Sequence, residues 1–114
     1  GRDEAEQAAA DAGCRALLGF YESTPPYRPV LDLEGYGELQ PVVRSMTREG
    51  RWDELSALID DSLLATVAVR GTPSEVADRI SARYQGQASR VCIYLPYGIA
   101  DGLMAELVDE LHAR

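Results

Sequence analysis

Gly71-Thr72-Pro73-Ser74-Glu75-Val76-Ala77 and, thirteen residues on, Arg90-Val91-Cys92-Ile93-Tyr94-Leu95-Pro96-Tyr97 form the stretch on which the fold turns. Thr72 can cap the first-turn amides, Pro73 needs no donor at the first helical position, and Glu75 can return a bond to the cap residue. A helix running to about Gln85 follows, with Val76, Ala77, Ile80 and Tyr84 as its inward stripe and Gly86 as its stop. In the second run Val91, Ile93 and Leu95 alternate with Cys92 and Tyr94, yet both sets are apolar. That pattern predicts a strand covered on both faces. A helix followed by such a strand is a unit built to join a larger sheet.

Few other stretches can supply that sheet. Val30-Leu31-Asp32-Leu33 reads as a brief strand at most, and residues 66–70 read either as a strand or as a helix extending from Leu63 to Val69. The remaining periodicity is helical. Asp3 to Leu18 forms an Ala-rich first helix with Ala9, Ala12, Ala16 and Phe20 on one side and Asp3, Glu4 and Glu6 at its positive end. The prolines at 25, 26 and 29 make residues 20–29 a shaped loop. Leu39, Val42, Val43 and Met46 mark a helix from about Gly37 to Glu49, with Pro41 in the first turn and Gly50 as a left-handed stop. Trp52, Leu55, Leu58, Ile59 and Leu63 continue as a second stripe with Asp53 at the cap position, and Asp60-Asp61 either restarts or breaks it. Leu103, Met104, Leu107, Val108 and Leu111 mark a last helix between Asp101 and Arg114.

Composition limits the function classes. At 114 residues the chain is one domain by default and far short of the ~250 residues usual for a complete (β/α)₈ barrel. Its 46% apolar and 26% charged residues place it among globular chains. A formal charge of -8 repels phosphate backbones and acidic lipid surfaces, so neither nucleic acid nor membrane is an expected partner. No apolar run reaches the ~18 residues of a membrane span, and no signal-peptide pattern is visible, which predicts a cytoplasmic setting. The chain opens on Gly1-Arg2 without Met, as a cut or processed start would. Cys14 and Cys92 lack CxxC spacing and read as small apolar residues.

Three ordered runs carry a family resemblance. They are Leu18-Gly19-Phe20-Tyr21-Glu22-Ser23-Thr24-Pro25-Pro26-Tyr27-Arg28-Pro29-Val30-Leu31, then Glu49-Gly50-Arg51-Trp52-Asp53-Glu54-Leu55 with Leu58-Ile59-Asp60-Asp61, then Gly71 to Ala77. Together they resemble the carboxy-terminal part of luciferase-like flavin- or deazaflavin-dependent oxidoreductases, most nearly the branch that uses coenzyme F420. Arg90 to Tyr97 resembles that family's final barrel strand. The resemblance implies an α/β fold: residues 1–114 as the C-terminal fragment of a luciferase-like (β/α)₈ TIM barrel, mostly helical with one clear strand. It implies hydride transfer to or from a small organic substrate, with F420 or alternatively FMN as cofactor. Because the family's first strands lie outside these residues, the isolated chain is not expected to catalyse the parent's reaction or retain the cofactor.

Within that resemblance, Tyr21, Tyr27 and Arg28 around the Pro-rich loop read two ways. The phenols line an aromatic pocket and Arg28 holds a phosphate or carboxylate, or all three anchor the loop. Tyr97, at the end of the expected strand, is the fourth cofactor-binding candidate, while Tyr94 reads as structural. Trp52 reads as a core anchor, with an interface anchor as the alternative. His112, the only histidine, sits near the terminus and makes neither a metal site nor a catalytic triad, and Asp60, Asp61 and Glu54 give no compact ligand pattern. The alternative function is a non-catalytic binding or self-assembly module, and the open strand edges make a homo-oligomer the expected assembly.

Overall fold

Asp3 starts the longest helix. Its backbone is extended and its Oδ1 accepts the Glu6 amide at 2.8 Å, with Glu4 and Glu6 in the first turn. The computed structural model describes residues 1–114, and helices build all of its regular structure: α1 (Glu4–Glu22), α2 (Arg28–Leu33), α3 (Leu39–Arg48), α4 (Trp52–Leu55), α5 (Asp61–Val67), α6 (Pro73–Tyr84) and α7 (Leu103–His112). Single 3₁₀ turns occupy Pro25–Tyr27 and Ser56–Leu58.

No strand forms, so the expected α/β barrel fragment with one clear strand is corrected to an all-helical arrangement. The reason is ladder pairing. A strand exists through hydrogen bonds to a neighbour, and the two other β-prone runs are taken up wholly or in part by helices, residues 30–33 in α2 and residues 66 and 67 at the end of α5. Residues 89–99 consequently run as irregular chain, and none of their backbone N–H or C=O groups makes a hydrogen bond within the molecule. Val30 to Leu33 turn helical because Pro29 sits in the first turn of α2, where its fixed φ suits a helix and its missing donor costs nothing.

The buried core is small: its two clusters lie between residues 31 and 64, and Ala77 and Ile80 of α6 are buried apart from them. Leu31, Ile59, Leu63 and Leu64 form one cluster, joined from α1 by Cys14 and Leu18; Val43, Met46 and Leu55 form another. Each large aliphatic side chain there contributes about 1.5–3 kcal/mol by leaving water. The face of α1 turned inward differs from the expected one: Ala9, Ala12, Ala16 and Phe20 are exposed, whereas Gly19 and Glu22 are buried. Gly19 permits the contact with α4, since a Cβ there would meet the Leu55 Cβ at 2.9 Å.

Aspartates punctuate the middle of the chain. Asp60, not Asp53, is the cap: its Oδ1 accepts the Leu63 amide at 2.8 Å and the Tyr36 hydroxyl at 3.0 Å, which starts α5 after the 3₁₀ turn. Its carboxyl is held below the usual range, chiefly by that amide. Arg15 of α1 donates to the Ile59 carbonyl and pairs with Asp61. The Thr72–Glu75 capping box forms as read, with the Thr72 amide donating to Glu75 Oε2 at 2.8 Å and the Glu75 amide donating to Thr72 Oγ1 at 3.3 Å. Helix α6 packs chiefly on α7. Arg114 fastens the end of that pair by donating to Ser74 Oγ at 2.7 Å and Asp78 Oδ1 at 3.0 Å. No helix is long and apolar enough to cross a membrane.

Candidate functional site: an apolar cleft and an aromatic shelf

Helix α1, the 67–71 connection, α6, residues 91–99 and α7 enclose a cleft of about 630 Å³. Twenty of its 29 lining residues are apolar, so the surface suits an apolar occupant rather than a charged one. One ion pair crosses it: Arg70 Nε donates to Asp11 Oδ1 at 2.8 Å and its Nη2 pairs with the other carboxylate oxygen. Next to this pair, burial pushes the Cys14 thiol above its ordinary range and the Asp11 charge pushes it further. A raised thiol is a poor nucleophile. Burial also raises the Tyr97 phenol, whose ring packs over Gly13.

A second surface adjoins the cleft. Phe20 and Tyr21 at the end of α1 lie 5.8 Å apart between ring centres, Phe20 and Trp52 6.2 Å, and Tyr21 meets Tyr27 edge-on at 5.8 Å. All four rings are exposed, as is Tyr94, which lines the cleft and raises the Tyr21 phenol by placing a second ionisable phenol beside it. Trp52, read from sequence as a core anchor, is 51% exposed, and Tyr94, read as structural, is 70% exposed. The Tyr21–Tyr27 part of this shelf is legible in sequence as a candidate aromatic pocket around the Pro-rich loop, whereas Phe20, Trp52 and Tyr94 join it only through the fold.

The four cofactor candidates divide. Tyr21 and Tyr27 touch, and Arg28 follows directly in the chain, but its guanidinium faces Glu38 Oε1 at 3.1 Å and Asp32 Oδ1 at 3.6 Å. Tyr97 stands elsewhere, against Gly13, eight residues or about 12 Å of helix rise from Tyr21. Arg70 is likewise occupied by Asp11, which leaves Arg79 as the one cleft arginine outside an ion pair. A phosphorylated F420 or FMN needs unneutralised cations or amides beside a flat slot. Of the cleft's two arginines only Arg79 meets that need, and the unpaired amides of residues 91–95 lie along the same cleft. No three His, Cys, Asp or Glu side chains gather to hold a metal ion.

One buried acid is unexplained by any partner. Glu22 is only 5% exposed, its Oε2 has no hydrogen-bond partner, and burial raises its carboxyl above the usual range.

No family model matches the chain, and no solved structure does either. It is similar to uncharacterized proteins of Mycobacterium bovis and of two strains of Mycobacterium tuberculosis, each 40% identical over 91 residues. The match takes in 80% of this chain and 27% of each relative. The chain thus spans about a quarter of the length of the curated relatives it matches. With 91 residues making 27%, those relatives run to roughly 340 residues.

Proposed function

We propose that residues 1–114 work as one portion of a longer F420-dependent or flavin-dependent oxidoreductase, which moves hydride to or from a small organic substrate. The cofactor, when bound to the whole enzyme, would supply the ring carbon that donates hydride to the substrate or accepts it from the substrate. This portion contributes packing surface and no complete cofactor site. The size relation carries the reading: a match of 91 residues sits inside chains of roughly 340, long enough for a complete enzyme domain, and the three ordered runs supply the redox class. The apolar cleft beside eleven residues of unbonded backbone fits the same picture of a surface meant to be covered.

Fluorescence titration tests it. The complete open reading frame containing Gly1 to Arg114 is expected to bind F420 or FMN, and residues 1–114 alone are expected to bind neither. If the complete protein binds neither cofactor, the oxidoreductase reading is withdrawn. A second reading, a non-catalytic self-assembling module, draws on the exposed rings of the shelf. It requires residues 1–114 to dimerise at micromolar concentration in sedimentation velocity.

A further inference from the structure

The molecule is a slab of 45 × 31 × 19 Å with a radius of gyration of 15.4 Å, against about 13 Å for a self-contained domain of this length. Its accessible surface is 7264 Å², whereas a folded monomer of 12.4 kDa exposes about 6,100 Å². The excess of about 1,100 Å² exceeds the ~800 Å² that one partner contributes to a standard interface. The deficit in burial is local. The buried residues of the two core clusters end at Leu64 and Leu55, α7 contains no fully buried residue, and α6 buries only Pro73, Ala77 and Ile80. Those two helices and residues 91–99 wall the cleft together with α1 and the 67–71 connection.

The chemistry of the walls selects the occupant. The wall residues 91–97 and 99 carry seven N–H groups, Pro96 having none, and eight carbonyls, all unpaired within the chain. A small apolar molecule would shield these groups from water without replacing their bonds, at about 1–3 kcal/mol for each group left unsatisfied. A polypeptide supplies both halves of what is missing: apolar side chains for Ile93, Leu103 and Leu107, and backbone groups for residues 91–99. A second copy answers poorly, because each copy carries -8 and like charge opposes association. The matched relatives extend some 250 residues beyond the aligned part, and a segment on the same chain acts at an effective concentration of about millimolar.

We propose that the cleft seats an apolar segment of the same polypeptide from outside Gly1–Arg114, its backbone pairing with residues 91–99. This rests on the part of the functional reading that makes the chain one portion of a longer protein, and not on its redox chemistry. Hydrogen exchange followed by mass spectrometry compares the complete reading frame with residues 1–114 alone, alongside thiol labelling of Cys92. Amides of residues 91–95 are expected to exchange at least about 100-fold more slowly in the complete protein, with Cys92 labelling slowed in parallel. Leu107→Asp on the opposite wall should return fast exchange to 91–95 there. Equal, fast exchange in both proteins overturns the proposal, as does equal protection in both. Protection of residues 1–114 that grows with their concentration makes a second copy the occupant and also overturns it. Protection in a complete protein that binds neither F420 nor FMN leaves the cleft assignment standing and removes the oxidoreductase reading.

Discussion

Tyr97 lies over Gly13 so closely that a Cβ on the glycine would stand 2.7 Å from both the Cβ and Cδ1 of the tyrosine. This contact fastens the irregular 89–99 segment to α1, which no backbone hydrogen bond does. Gly13→Ala must displace the ring. Overpacking of this kind costs about 1–3 kcal/mol, and the displaced segment should bring faster Cys92 labelling along with a lower urea midpoint. An unchanged labelling rate would remove Tyr97 from this anchoring role.

Glu22 makes stability depend on pH in a direction opposite to the other shifted carboxylates. Its folded-state pKa is raised by burial, so the folded chain holds a proton that the unfolded chain releases. Its contribution is intact below the unfolded value and is lost as pH rises from there through the folded value. Glu22→Gln removes this loss. The variant should exceed the parent by on the order of 1 kcal/mol at pH 7 and match it near pH 4, as read from urea midpoints across that range.

Thr72 holds the start of α6 by a cap that Ala cannot replace. Thr72→Ala should cost about 0.5–2 kcal/mol, or roughly 4–8 °C of melting temperature for each kcal/mol. Glu75, whose carboxyl is lowered chiefly by the Thr72 amide, contributes above its unfolded pKa and loses that contribution as pH falls through the folded value. Ala keeps the residue-72 amide but loses the Thr72 hydroxyl that donates to Glu75 Oε2 at 3.0 Å, so the melting-temperature gap between Thr72→Ala and the parent should narrow on acidification by that hydroxyl's share.

Arg70 and Asp11 couple positions 59 residues apart. The pair is half-buried and doubly hydrogen-bonded, which separates it from ordinary surface ion pairs. A double-mutant cycle of Arg70→Met and Asp11→Asn, measured by chemical denaturation, should return a coupling of about 0.5–3 kcal/mol. Additive single effects would show that the 67–71 connection is held to α1 by packing alone.

What the sequence disclosed follows from how local each signal is. The Thr72–Glu75 box, the stop at Gly50 and the last helix are written in neighbouring residues, and the structure reproduces all three. The strand over Arg90 to Tyr97 was misread because its apolar pattern is local while its existence depends on a partner, and residues 1–114 contain none. Val30 to Leu33 failed similarly: a four-residue apolar run fits strand or helix, and Pro29 decided it. In α1, nearly interchangeable alanines hid which face turns inward, and the buried Glu22 marks that face instead. Tyr21, Tyr27 and Arg28 are legible as neighbours in the chain, and Asp32 pairs with Arg28 at i+4 once α2 is helical, but Glu38 on Arg28 and the glycine that takes Tyr97 follow only from the fold.

Both core clusters are complete by Leu64, while the cleft is walled mainly by residues that come later in the chain. The side chains that fill the core and those that wall the cleft are thus largely separate sets, with Cys14, Leu18 and Ala68 common to both. Substitutions at Ile93, Leu103, Met104 or Leu107 can recut the shape and polarity of the cleft without touching what holds α1 to α5 together. A chain organised this way is free to change what it accommodates faster than it changes its frame.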